Sequence, residues 1–162
     1  MMSQSLKKVD HSALRTNQSF IIMLSIAAYV VDLVWLVALV GLVMLVGTLR
    51  NIPAFGFIYM RLLKPRGWLR PYVVLDNPEP HRFAQGFGSV VMITGAVALY
   101  AGAFGLGWAL VWLVVALAAL NLFAGFCVGC ALYYWLNRLH ISGFTQPPPD
   151  GSFPGMRPNV RA

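Results

Sequence analysis

Cys127 and Cys130 are the only cysteines in the 162-residue chain, and they stand in a Cys-x-x-Cys arrangement. Two thiols cannot complete a tetrahedral zinc or iron–sulfur site, and no His or carboxylate lies beside them in sequence. Two kinds of role stay open. One is dithiol–disulfide exchange or sulfur transfer; the other is plain packing, since a buried cysteine behaves as a small hydrophobe. Residues three apart on a helix have Cα atoms roughly 5 Å apart, within reach of a disulfide. Reactivity requires a cation or a helix N-terminus near the sulfur. The nearest cation in sequence, Arg138, is eight residues past Cys130, about 12 Å along a helix. Activation therefore has to come from another helix, a quinone-type cofactor or a partner. His11, His81 and His140 show no ligand spacing, and no metal site is expected. No phosphate-binding glycine loop, Ser/His/Asp set or carboxylate pair is present.

The cysteines must be positioned by a chain that is 59% hydrophobic and only 10% charged, with mean hydropathy +0.70. A soluble domain carries about 25% charged residues. Five acids and twelve bases cannot clothe a water-soluble globule, so the expectation is an integral membrane protein. The net charge of +7 is best matched to lipid phosphates, with no nucleic-acid partner.

The bases fall in three patches: Lys7, Lys8, Arg15; then Arg50, Arg61, Lys64, Arg66, Arg70, Arg82; then Arg138, Arg157, Arg161. Lys and Arg collect on the cytoplasmic side. Each base-free stretch should then cross the membrane an even number of times. Residues 83–136 would make a helix about 80 Å long, right for two spans, with a turn expected at Gly105-Leu106-Gly107. Residues 20–49 make about 45 Å as one helix, and a single crossing would leave Asp32 near mid-membrane at roughly 2.5–3.5 kcal/mol. A turn at Asp32 avoids this.

The expected fold is all-α: four transmembrane helices in two hairpins joined by a basic cytoplasmic loop. The divisions are a basic N-terminus (1–16), a first hairpin (17–49), a Pro-rich interfacial loop (50–82), a second hairpin carrying the cysteines (83–137) and a Pro-rich tail (138–162). The first apolar run is too long for a signal peptide's core, so it should remain as an anchor. Both termini are expected in the cytoplasm.

Within the loop, Arg61, Lys64, Arg66, Trp68 and Arg70 read as an interfacial, lipid-binding segment or as a topology signal with snorkelling side chains. Arg15, Asn17, Gln18 and Gln85 sit at the cytoplasmic ends of spans, as a polar cluster below the cysteines or as helix-end caps. On a continuous last helix, Asn121, Gly125 and Gly129 would share a packing face, with Gly125-x-x-x-Gly129 admitting a neighbour closely. Phe123, Cys127, Cys130 and Tyr134 would then look the other way. The tail reads as disordered or as an extended arm.

Two segments carry a family resemblance: Val9-Asp10-His11 with Arg15, Asn17 and Gln18, and Gly125-Phe126-Cys127-Val128-Gly129-Cys130 with Tyr133 and Tyr134. They resemble the bacterial membrane family catalogued as domain of unknown function 4395. The resemblance spans roughly residues 9–137 and implies a small helical protein of the bacterial inner membrane. It also implies association with thioredoxin-like and sulfurtransferase proteins. Two functions are carried forward. The first is a membrane dithiol or sulfur relay through Cys127 and Cys130, serving a cytoplasmic thiol or sulfur carrier. The second is a non-catalytic subunit packed among other subunits of a respiratory or photosynthetic complex.

Overall fold

A computed structural model describes residues 7–69, 71–149 and 151–157. It is mostly helical. A strand β1 (Lys7–Asp10) leads into α1 (His11–Val30) and α2 (Val34–Leu49); a single turn α3 (Gly56–Ile58) runs on as a π-helical turn, Tyr59–Leu63. Strand β2 (Val73–Asp76) precedes α4 (Pro78–Tyr100), α5 (Phe104–Ala119) extended by a π turn, Leu120–Ala124, and α6 (Val128–Arg138).

Two helices are long and apolar enough to cross a membrane, Pro78–Tyr100 and Phe104–Ala124; Val34–Leu49 is as apolar but shorter. The helices α1, α2, α4 and α5 share a core of Ile21, Val37, Val40, Met44, Met92, Leu99, Val111 and Val114. Close approach is set by glycines facing the neighbouring helix. A Cβ on Gly41 would stand 2.9 Å from Ile93 Cγ1, and one on Gly107 would stand 2.9 Å from the Gly95 carbonyl.

The chain breaks between α1 and α2 at Val31–Leu33, with Asp32 left-handed (φ +53°). The break after α4 differs from the sequence expectation. It falls at Ala101–Ala103, where Gly102 takes φ +82° and the Gly102 and Ala103 N–H groups close on the Leu99 and Ala98 carbonyls. A left-handed glycine just past the helix end satisfies the last carbonyls. Gly105 and Gly107 instead lie inside α5, and Gly107 packs on α4.

Two further corrections concern the segments outside the four long helices. The fold is not purely α: β1 and β2 pair antiparallel, Lys7 opposite Asp76 and Asp10 opposite Val73. Four-residue strands are too short for alternation to reveal them in the sequence. Pro78 and Pro80, expected in the loop, open α4, because a first-turn proline forfeits no intrahelical hydrogen bond. Asp10 caps α1 by accepting from the Ser12 N–H at 3.0 Å, and it also accepts from the Tyr59 hydroxyl at 2.9 Å.

Asn17 and Gln85 pin the segment after α2 onto α1 and α4. The Asn17 carbonyl accepts from the Phe55 N–H (2.9 Å) and that of Gln85 from the Ala54 N–H (3.1 Å). The Gln85 amide donates to the Met44 carbonyl (3.1 Å) and the Thr48 hydroxyl (3.2 Å), and Asn17 donates to Gln85 (3.3 Å). Gln85→Leu leaves several of these groups unpaired, each at about 1–3 kcal/mol. Thermal unfolding in detergent should show a destabilisation of that order, with proteolysis beginning in the 51–58 segment.

Candidate functional site

Four chain segments converge on the cysteines. The last apolar helix does not continue through them. Its π turn ends at Gly125, whose φ of +68° turns the chain out of the helix, and Phe126 then forms an isolated bridge with Met156. Cys127 is extended and caps the N-terminus of α6, its Sγ accepting from the Cys130 N–H at 3.2 Å. This corrects the expected stripe of Asn121, Gly125 and Gly129. Gly125 is a helix terminator, and the three do not share one helical face. Gly129 packs closely on α4, for its Cβ would stand 2.5 Å from that of Ala84.

Cys127 and Cys130 are joined as a disulfide, their Cα atoms 5.2 Å apart. Both are buried. Beside Cys130 Sγ, at 3.4 Å, lies Nδ1 of His81 from the second turn of α4. The other nitrogen of His81, Nε2, is 2.9 Å from Asp76 Oδ2 at the end of β2. His11, the first residue of α1, places its Nε2 3.1 Å from the same carboxylate oxygen. The other oxygen, Oδ1, accepts from the Asn77 N–H at 2.7 Å. The result is a chain from carboxylate to imidazole to sulfur, with the N-termini of α1, α4 and α6 all present. A helix N-terminus favours negative charge close by, here the Asp76 carboxylate at the start of α4.

Burial by itself raises the Asp76 carboxyl, but hydrogen bonds from His11, His81 and the Asn77 N–H outweigh it and hold the group well below the carboxylate range. A carboxyl lowered on folding contributes stability that is complete above its ordinary value of 3.8 and is lost as pH falls toward the native value. The melting temperature should therefore drop as pH falls below about 4. In Asp76→Asn that part of the acid dependence should be absent, which a pH series of thermal unfolding curves checks.

The described residues of the proline-rich tail fold back onto the cysteine segment and the start of α4. The Cys127 N–H donates to the Gly155 carbonyl (2.8 Å), the Arg157 N–H to the Gly125 carbonyl (3.0 Å), and the Asn77 amide to the Pro147 carbonyl (3.0 Å). Arg157 Nη2 also donates to the Asn121 carbonyl at 3.3 Å. A cavity of about 100 Å³ reaches Cys127 from the bundle interior, lined by Gln18, Ile21, Met44, Gly88 and Val114 among others. Gln18 Oε1 is buried there with no hydrogen-bond partner among the described residues.

The residues singled out by sequence separate into groups. Cys127 and Cys130 are together; Asn17 and Gln85 are bonded and anchor the loop; Gln18 lies between that anchor and the sulfurs. Arg15 is exposed and outside the cluster. Arg61, Lys64, Arg66 and Trp68 are exposed, with the Arg66 guanidinium 5.9 Å from the Trp68 ring centre, and Arg70 lies outside the described residues. Sequence reasoning missed His11, Asp76 and His81. Their only hints were the place of His11 in Val9-Asp10-His11 and of His81 just behind the paired prolines.

Residues 9–138 match the model of the family described as Domain of unknown function (DUF4395). The chain belongs to this family. No curated protein and no solved structure matches it. The DUF4395 segment contains His11, Asp76, His81, Cys127 and Cys130, and it stops before the tail residues Gly155 and Arg157 that bond to the cysteine segment.

Proposed function

We propose that this DUF4395 protein is a membrane thiol–disulfide relay in which Cys127 and Cys130 cycle between disulfide and dithiol. The observation that carries this reading is the Asp76–His81–Cys130 chain beside a disulfide at the N-terminus of α6. An inert packing pair needs neither a helix N-terminus nor an anchored imidazole.

The exchange partner is a protein dithiol of the thioredoxin-like kind. One partner thiolate attacks Cys127 Sγ, forming a mixed disulfide and breaking the Cys127–Cys130 bond. Cys130 leaves with the electron pair and takes a proton at Sγ from Nδ1 of the doubly protonated His81 ring, which solvent then re-protonates, while Asp76 steadies the ring through Nε2. The partner's second thiolate then attacks the partner sulfur of the mixed disulfide. That releases a partner disulfide and a Cys127 thiolate held by the Cys130 N–H. Two electrons pass from partner to relay, and the reverse sequence re-oxidises the pair. On the apolar side, the cavity reaching Cys127 suits a quinone as the second electron carrier.

The site belongs at the cytoplasmic face of the plasma membrane. α1, α2, α4 and α5 form four spans in two hairpins, with both termini and the basic 50–82 segment inside. Large side chains such as Val30, Trp35, Leu42, Val97 and Leu106 face outward from the bundle, as lipid-facing residues do. Mass-shift alkylation of native membranes, with and without reductant, tests the relay. Interconversion of disulfide and dithiol forms on adding a dithiol protein is the expected result; a pair fixed in one state under every condition overturns it. Reporter fusions placing Arg61–Lys64 outside the cell would overturn the topology.

A further inference from the structure

Beyond redox cycling, the geometry points to a second property of the same groups: in the reduced state, Cys127, Cys130 and His81 form a binding site for a thiophilic d10 cation of the zinc type. A ring nitrogen of His81 and the two sulfurs all lie within 4.8 Å of one another. Zinc bonds of about 2.3 Å to sulfur and 2.0–2.1 Å to nitrogen imply tetrahedral edges of roughly 3.8 Å between sulfurs and roughly 3.5 Å between sulfur and nitrogen. The His81 Nδ1 to Cys130 Sγ distance is already 3.4 Å. Reduction needs only to let the sulfurs part to non-bonded contact, and the three donors then fall at the corners of such a site.

Two further features belong to metal–thiolate sites. The Cys130 N–H directed at Cys127 Sγ stabilises a thiolate there. The Asp76 carboxylate on His81 Nε2 fixes the tautomer that leaves Nδ1 free to ligate, the usual outer-shell arrangement for a metal-binding histidine. His11 in turn holds Asp76. Three protein ligands leave one coordination position for water or an incoming thiolate, facing a small cavity of about 20 Å³ lined in part by Gln18 and Tyr134.

The chemistry balances simply. Zn²⁺ displaces the two thiol protons to solvent. Oxidation by glutathione disulfide re-forms Cys127–Cys130, takes up two protons, and yields two glutathione thiols and free Zn²⁺. The bound cation thus favours the dithiol, and at 100 times its dissociation constant it shifts the disulfide–dithiol equilibrium about 100-fold toward the reduced form.

The test uses the full chain in detergent, reduced and freed of reductant, titrated with Zn²⁺ alone and followed by a chromogenic zinc chelator. One Zn²⁺ per chain is expected, with both thiols shielded from alkylation and the metal released by glutathione disulfide. Cd²⁺ in its place should produce the ultraviolet charge-transfer band of a cadmium thiolate. Asp76→Asn should weaken binding by about 10–100-fold while leaving the two ligand thiols in place. Two outcomes overturn the site: no stoichiometric Zn²⁺ on protein whose two thiols both titrate, or undiminished Zn²⁺ binding after Cys127→Ser and Cys130→Ser. The latter would assign the cation to His11, Asp76 and His81 instead. All readings are taken on reduced protein without a redox partner, so failure here leaves the relay standing, and failure of the relay leaves the metal site standing.

Discussion

Replacing His81 by alanine is expected to slow reduction of the Cys127–Cys130 disulfide by a small dithiol roughly 10²–10⁴-fold, the range that a positioned proton donor contributes. Breaking the disulfide places a developing thiolate on Cys130. The only imidazole within hydrogen-bonding range of that sulfur among the described residues is His81, 3.4 Å away and held by Asp76 from behind. The equilibrium between disulfide and dithiol should move far less than the rate, because the imidazole is regenerated when the exchange is complete. Stopped-flow reduction in detergent gives the rate, and redox titration against glutathione gives the equilibrium. A merely structural histidine would show the reverse: a lowered melting temperature and an unchanged rate in the molecules that remain folded. His81→Gln, which retains hydrogen bonding without proton transfer, should resemble the alanine variant in rate and the parent in stability.

A comparable loss should follow from a residue with no chemistry of its own. Gly129 lies where α6 meets α4, and a Cβ added there would stand 2.5 Å from Ala84 Cβ and 2.8 Å from Ala84 Cα. Backbone cannot yield as a flexible side chain does, so Gly129→Val forces α6 away from α4. Overpacking of this kind costs about 1–3 kcal/mol. The functional effect is larger than the energy suggests, because Ala84 and His81 lie one turn apart on α4 while Cys130 follows Gly129 directly. Separating the helices draws the sulfur away from the imidazole. The expected outcome is a lowered melting temperature together with exchange as slow as in His81→Ala. Gly129→Ala should show a milder form of both defects, and Ala84→Gly in the same chain should restore part of each. Equal stability and equal rate in Gly129→Val would mean that α6 does not dock on α4 in the working protein.

These expectations divide along what short-range information can hold. The apolar, helix-forming character of the chain, its membrane-length segments and the thiol spacing are all properties of neighbouring residues, and each was legible in the sequence. Family membership was legible too, from Val9-Asp10-His11 and Gly125-Phe126-Cys127-Val128-Gly129-Cys130. Asn17 and Gln85 stood out as polar residues at helix ends. Their role in holding Phe55 and Ala54 depends on a loop folding back onto both helices.

Glycine spacing was a poorer guide, because the same residue serves packing and chain reversal equally well. Gly125 looked like half of a helix-packing pair and in fact stops the helix with φ +68°; Gly107 looked like a turn and lies within α5. What decides between these uses is whether a neighbouring backbone lies within reach, which is a fact about another helix.

The sequence by itself determined that the protein is a helical, apolar chain carrying one closable dithiol. Only the tertiary structure decided that an imidazole, a carboxylate and a helix N-terminus stand beside the dithiol. Cys130 and His81 are 49 residues apart, and His11 and Asp76 are 65 apart, so no local pattern joins them. They meet because the breaks at Asp32, Gly102 and Gly125 and the pairing of β1 with β2 bring the starts of α1, α4 and α6 to one place. A sulfur's reactivity is set by the charges and dipoles within a few ångströms of it, and those are supplied here by segments distant in the chain.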